Sequence, residues 1–401
     1  MPRAILASFF ALVSIAADWP GWRGPTGDGR AVDAEYPLKW GATENVKWRV
    51  PLAGTGHSSP AVVGGKVFIT GCVEAKKERV LYCLDRTNGS ILWEKAVLAS
   101  PLEGKHALNS FASSTPACDG ERVYVTFFDR PKARVYCYSV AGEKLWDTSP
   151  GEFHSKHGFC SSPVLHGDLV IVNASVESES LVALDKTTGK EVWRAPGMKE
   201  SWNTPVLVKN PAGKTELVVA VFGKVLGFDP DKGTPLWSCE TKIPWYMVPS
   251  VVAEKGIVFC IGGRGGGGSL AIKTGGNGAV EPLWRGKKGS NVSSPVYHNG
   301  HLYWASDSMP IVSCTNAETG ELVYEERLPR AEQFYPSVVL GDGKLYYLSR
   351  SGQVFVVAAK PAFELLGTNK LEERAMFNAS PVIADGRLFI RSDRWLYAIG
   401  K

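Results

Sequence analysis

The chain has 401 residues and a formal net charge of only +5, with lysines and glutamates scattered rather than clustered, which argues against nucleic acid as its main partner. At 44% hydrophobic and 10% aromatic residues it carries ample material for a core, and 43 glycines with 25 prolines fit a backbone that turns often. This length would ordinarily suggest two or three domains, but a regular repeat, described below, overrides that prior.

Residues 1–17 read as a secretory signal: Arg3 supplies a short positive start, Ile5 to Ile15 is apolar, and Ser14-Ile15-Ala16 offers a small-x-small cleavage site. The apolar run is too short to span a bilayer as a mature helix. No Cys follows it to carry a lipid, and no later stretch resembles a membrane span. The expectation is an exported, periplasmic or secreted protein, monomeric and without a transmembrane segment. Residues 18–44 form an N-terminal extension. Its Trp22-Arg23-Gly24-Pro25 stretch either plugs a channel or clips across a face, with Arg23 suited to pairing with a backbone carbonyl.

From residue 45 to 401 one phrase recurs. Strands open after Pro60, Pro116, Pro163, Pro205, Pro249, Pro295, Pro336 and Pro381, at intervals of 56, 47, 42, 44, 46, 41 and 45 residues. The long first interval holds an extra segment, Leu98 to Asn109. Each unit reads as four short strands. In the third, Val164-Leu165 opens, His166-Gly167-Asp168 turns, and Leu169 to Val172 is a buried β-branched strand. Leu181 to Leu184 follows, Asp185 to Gly189 turns, and Glu191 to Arg194 closes on Trp193. The Asp of that turn can accept from amides two residues on, and the Gly supplies positive φ. The closing aromatic recurs as Trp93, Trp146, Trp193, Trp237 and Trp284, then weakens to Tyr324 and to Leu365-Leu366.

The eighth unit supplies three strands and stops. Its fourth lies at the other end of the sequence, in Val46 to Val50, which has the fourth-strand pattern and no unit before it. The reading is an all-β, eight-bladed β-propeller whose ring is closed by an N-terminal strand, leaving no long open edge.

The repeat also bears on the eight cysteines. Counting ten residues back from the closing aromatic gives Cys83, Ala183, Gly227 and Cys314, with Cys137 one residue nearer to Trp146. A position that accepts Cys, Ala or Gly is a slot for small side chains rather than a bridge site. A Cys72–Cys83 bridge across a hairpin is the alternative for that pair.

The Ser-Ser-Pro openings and Asp-x-x-Thr-Gly-x-x-x-Trp closings resemble the PQQ-type propeller repeats of quinoprotein dehydrogenases and of the BamB-like assembly proteins, over about residues 45–401. Residues Asp18 to Pro25 are similar to the opening of a planctomycete-type subgroup of exported PQQ-like proteins. The resemblance is specific for fold and loose for function. Quinoprotein dehydrogenases would imply PQQ with calcium. This chain departs from them: it has no adjacent Cys-Cys pair and no Cys-x-x-Cys-His, its loops are short, and no Asp-Glu-Asn set matches their calcium ligands. No cofactor is therefore expected, with PQQ and calcium kept as the alternative.

Propeller geometry places the loops leading into each first strand, and the hairpins between second and third strands, on one face. That face is chemically varied and the other is bland, so the mouth of the central channel is where a ligand belongs. The candidate residues are His57, His154, His157, Trp202, Asn203, Trp245, Tyr246, Arg264, Asp307 and Arg350. His57, His154 and His157 could form a metal cluster, but no metal-ligand spacing supports it and lining a wet funnel is preferred. Trp202, Trp245 and Tyr246 could stack on a flat ring or a sugar. The glycine run Gly262 to Gly268 contains G-x-G-x-x-G, yet a strand rather than a helix follows, so it reads as a hairpin. The favoured function is a non-catalytic exported scaffold that binds an envelope protein or small ligand at one face. A PQQ-dependent dehydrogenase and a carbohydrate-binding envelope protein are the alternatives.

Overall fold

A computed structural model of the chain describes residues 18–31, 35–152, 157–264, 267–371 and 374–400. Among these residues the strands form eight sheets, the blades of a β-propeller, each with its first strand innermost, and in seven of them the other three follow in sequence order. The third blade runs Val164–His166, Leu169–Ala174, Ser180–Asp185 and Glu191–Pro196, all antiparallel. The fourth blade gains a short parallel partner, Gly278–Ala279, on its outer strand. In the eighth blade, Val46–Pro51 pairs antiparallel with Trp395–Ile399, so the ring closes with the first strand of the sequence.

Apolar residues of each strand pair face the neighbouring blades on both sides, so the core is a ring of seams rather than one centre. Phe68 and Leu81 of the first blade pack with Val123 and Tyr136 of the second. Val258 and Leu270 of the fifth pack with Val218 and Trp237 of the fourth in the same manner.

Two devices tie the seams, and both explain the repeated phrase. The first is a girdle of hydroxyls around the channel mouth. Ser162 Oγ accepts from the Thr115 amide at 3.0 Å, Thr204 Oγ1 from the Ser162 amide at 3.0 Å, and Ser337 Oγ from the Ser294 amide at 3.0 Å. At the closing seam the Ser59 hydroxyl donates to the Ser380 carbonyl at 2.9 Å. The first three hydroxyls each satisfy an amide, and Ser59 a carbonyl, that curved, short inner strands would otherwise leave unpaired. The girdle residue precedes the proline in six blades, but Ser250 and Ser337 follow Pro249 and Pro336. The true repeat register is therefore the hydroxyl, and the prolines slip by one residue around it.

The second device is the closing tryptophan. Trp93, Trp146, Trp193 and Trp284 each lie over the turn glycine of the next blade, at Gly142, Gly189, Gly233 and Gly320, where a Cβ would overlap the indole. Each also donates from Nε1 to a carbonyl of that blade, such as Trp146 to Lys186 at 3.1 Å and Trp284 to Ala317 at 2.9 Å. Trp237 breaks the series. Its Nε1 donates within its own blade to the buried Glu216 carboxylate at 2.7 Å.

The small-residue slot lies directly opposite these aromatics: Cys83 pairs with Trp93, Cys137 with Trp146, Ala183 with Trp193 and Cys314 with Tyr324. Gly227 pairs with Trp237, which folds over it so closely that no side chain fits. None of the eight cysteines is in a disulfide. Cys72 pairs with Arg79 and Cys83 with Phe68, so these two thiols do not face each other across the hairpin. At the ends of the glycine run, Gly262 lies opposite Gly268 in an antiparallel strand pair, with no helix following.

The N-terminal extension plugs the channel. Trp19 exchanges two hydrogen bonds with Val62 of the first blade, and Pro20 accepts from the Cys118 amide of the second. Arg23 is buried with a left-handed backbone and donates to the carbonyls of Asp28, Pro295 and Val338, bringing the sixth and seventh blades together. Burial lowers its pKa to about 10, which leaves it charged at neutral pH. Arg30 then pairs with Glu254 of the fifth blade at 2.9 Å, and Ala31 donates to Leu340 of the seventh. Among the described residues no helix is long and apolar enough to cross a membrane. Residues 1–17, read above as a secretory signal, lie outside the described residues.

Candidate functional site

The leading loops enclose a cavity of about 570 Å³ at the channel mouth. Its floor is Trp22, whose Nε1 donates to Ser250 Oγ of the girdle at 3.0 Å. The plug thus makes the channel a blind cup. Sequence reasoning left Trp22 between plug and clip; only its hydrogen bond to a residue 228 positions away settles the choice.

One wall is aromatic. His157, Trp202, Trp245 and Tyr246 line it, with Trp245 and Tyr246 centroids 4.9 Å apart. Trp202 meets Tyr246 edge-on at 6.4 Å and His157 at 5.7 Å. These rings brace one another, so the wall is preformed. Trp202 Nε1 donates to Glu200 Oε1 at 3.0 Å, which fixes its orientation. Arg264 lines the rim with its guanidinium 5.7 Å from the Trp245 ring, a cation–π contact.

The opposite wall is built of amides and hydroxyls. Asn291, Asp307, Gln333, Tyr335 and Asn378 line it, and Asp307 accepts from the Asn291 amide at 3.1 Å. Burial, then the Asp307 charge, push the Tyr335 hydroxyl above its ordinary pKa, so it remains a donor at neutral pH. Arg350 stands behind this wall rather than in it. It lies 4.9 Å over the Tyr335 ring and donates to Asn378 Oδ1 at 3.0 Å and to Gln333 Oε1 at 3.2 Å, so it positions three lining side chains.

The insertion after the first blade supplies a third side. Its strand, Ile91–Ala99, runs longer than the sequence suggested, and the loop beyond it brings His106 and Asn109 to the cavity. The loop is pinned by a buried pair, Arg79 and Glu103, at 2.5 Å. Asn109 Nδ2 donates to the His157 carbonyl at 2.8 Å and so ties the insertion to the aromatic wall.

His57 also lines the cup, with Nε2 3.3 Å from Asn378 Nδ2. Burial, then the charges of Arg391, Lys105 and Arg350, lower its pKa to about 3, so it is neutral at physiological pH. Of the ten candidate residues, eight therefore converge on one cavity, Arg350 supports it, and His154 lies outside the described residues. Asn291 and Gln333, not singled out from sequence, join them; single amides on unequal loops carry no repeat signal.

Among the described residues no group of three His, Cys, Asp or Glu side chains could hold a metal ion. A calcium–quinone pair would need several oxygens converging on the cation. Asp307 is the one carboxylate lining the cup among the described residues, and it already accepts from a backbone amide. The residues described do not fit that pair.

A family model described as outer membrane protein assembly factor BamB matches residues 38–127 and 76–326. It does not reach residues 18–25, on which the subgroup likeness rests. No curated protein matches the sequence. Among solved structures, BamB from Moraxella catarrhalis superposes with a TM-score of 0.63 at 12% identity, over 88% of this chain and 98% of that one. A europium-containing methanol dehydrogenase superposes at 0.68 with 11% identity, over 96% and 98%. The quinohemoprotein alcohol dehydrogenase of Comamonas testosteroni does so at 0.66 with 12% identity, over 96% and 81%. At such identities these likenesses establish the fold alone.

Proposed function

The chain belongs to the outer membrane protein assembly factor BamB family of PQQ-like repeat propellers, and we propose that it is a non-catalytic scaffold of the cell envelope that holds a partner or ligand at the channel mouth. The observation that carries the reading is the blind cup itself. It is walled by braced aromatic rings and amides, and closed below by Trp22. Ligand sites are concave, largely preformed, and mix aromatic surface with a few placed polar groups. Export is part of the proposal, supported by the apolar N-terminal run and by the family's name; fractionation of cells producing the full chain tests it. A cytoplasmic, uncleaved product would overturn it.

The binding claim is tested by capture from an envelope extract, using the intact protein and a His57→Ala/Trp202→Ala double variant as paired baits. A species held by the first and lost by the second, with both equally folded, is the expected result. Equal retention by both would move the site elsewhere. Addition of PQQ and calcium should leave absorbance and melting temperature unchanged. A large rise in melting temperature, with dye reduction on adding an alcohol, would replace this reading with a dehydrogenase.

A further inference from the structure

Three cations at the mouth are held in place without being neutralised. Lys105 Nζ lies 5.0 Å from the Phe111 ring centroid, the Arg264 guanidinium 5.7 Å from that of Trp245, and the Arg350 guanidinium 4.9 Å from that of Tyr335. Ring faces orient such groups yet carry no charge to cancel theirs. None of the three forms an ion pair among the described residues, whereas Arg30, Arg86 and Arg134 elsewhere each meet a carboxylate. They come from the insertion and from the hairpins of the fifth and seventh blades, so they stand on different sides of the cup. Their field reaches the interior: after burial itself, the charges of Arg391, Lys105 and Arg350 keep His57 neutral. Against them the lining has Asp307 as its one carboxylate among the described residues, while Glu200 is taken up by the Trp202 N–H.

Between the cations stand exposed apolar side chains. Phe222 is 42% exposed on the hairpin of the fourth blade, Met309 45% on that of the sixth, and Met376 40% on the loop entering the eighth. Trp245 and Tyr246 are partly exposed inside the rim. Aromatic residues, methionine and arginine are what protein interfaces gather, and methionine adapts to side chains of varied shape. A glycan or a nucleic acid backbone would answer the cations but leave Phe222, Met309 and Met376 against nothing. A cup of about 570 Å³ with Trp22 as its floor admits side chains rather than a folded domain. What crosses the rim is therefore a stretch of chain.

We propose that the mouth docks an extended acidic segment of a partner protein. Its carboxylates meet Lys105, Arg264 and Arg350, and an apolar side chain between them seats in the cup beside Trp245 and Tyr246. This rests on the reading of the mouth as a binding site, and names the chemistry of its partner.

The test presents a random dodecapeptide library, displayed on phage, to the full protein and ranks the binders by fluorescence anisotropy. Recovered sequences should combine Asp or Glu with an aromatic or aliphatic residue. Replacing those acids by their amides should weaken binding roughly tenfold or more, and raising the salt should weaken it too. Lys105→Gln/Arg264→Gln should weaken it roughly tenfold with melting temperature unchanged, and Met309→Ser several-fold. Polygalacturonate and a single-stranded oligonucleotide serve as anionic competitors and should displace the peptide only weakly. Recovery without acidic bias, indifference to both variants, or tighter binding of either competitor would each overturn the proposal. If no peptide binds while capture still requires His57 and Trp202, only the partner's chemistry falls. If capture is also indifferent, the mouth is not the site.

Discussion

The indole of Trp48 lies over Gly89 and donates from Nε1 to the Arg86 carbonyl at 3.1 Å. Trp48 belongs to the strand that completes the eighth blade, and Gly89 to the turn of the first. The closing seam is thus locked by the same indole-on-glycine contact that joins the other blades, although its two halves come from a strand outside the repeat and a unit within it. Trp48→Ala should lower stability by about 3–5 kcal/mol, the usual cost of truncating a packed aromatic. Gly89→Ala should cost about 1–3 kcal/mol, because its Cβ meets the ring at a φ of +75°. Gly64→Ala is the control: its φ is +56° with no atom within 4 Å, so only the left-handed strain of about 1–2 kcal/mol applies. Urea unfolding of the three variants orders them. Equal losses for Gly89 and Gly64 would show that the lock adds nothing.

Gly227→Ala should destabilise by about 1–3 kcal/mol, since Trp237 fills the space a methyl would need. Cys314→Ala, at the equivalent position two blades on, should cost less, because Tyr324 leaves room for a thiol there. The difference follows from Glu216, which draws the Trp237 indole back over its own blade. Calorimetric melting of both variants checks the order, and a harmless Gly227→Ala would refute it.

His57 makes stability depend on pH. The native protein holds it neutral down to about pH 3, whereas the unfolded chain protonates it near 6.5. Between these values the unfolded state binds the extra proton, so the contribution is complete above about 6.5 and is lost as pH falls. At pH 5 the loss is about 2 kcal/mol at most. In His57→Gln the stability difference between pH 7 and pH 5 should shrink by that amount. An unchanged difference would assign the acid sensitivity to other groups.

Glu103→Ala strands the Arg79 guanidinium, whose side chain is fully buried and ion-paired at 2.5 Å. Breaking such a pair from one side costs about 3–5 kcal/mol. Because the pair holds the loop that carries His106 and Asn109, limited proteolysis should also begin cutting near residues 100–110. Resistance equal to the parent protein would mean that the His157–Asn109 contact alone holds the loop.

The blades, their turns and the closure were legible because each is written several times over, and independent copies of Asp-x-x-Thr-Gly and Trp support one another. The face bearing the cup was legible for the converse reason: its loops escape the repeat. What escaped notice was carried by single residues. Glu216 and Asn291 act across turns or through loops of unequal length, which no local pattern encodes. Trp22, though noticed, could not be placed as plug or clip, because its partner lies 228 positions away. Arg350 was found but misplaced by one layer, since spacing puts a residue on a face without saying whether it reaches the cavity or braces what does.

The pairing of Val46–Pro51 with Trp395–Ile399 also governs how the molecule can be divided. A cut between any two blades yields open arcs with a bare flank at each end, never two self-sufficient halves. The eighth blade is different, for the chain is already discontinuous between Val46–Pro51 and Trp395–Ile399, and their strand pairing, the Trp48–Phe389 ring contact and the shared apolar core span the gap. Moving the chain ends elsewhere by joining this gap with a peptide linker would exchange a non-covalent clasp for a covalent one. The contacts with the greatest sequence separation would then become local, and the slowest step of assembly would shorten.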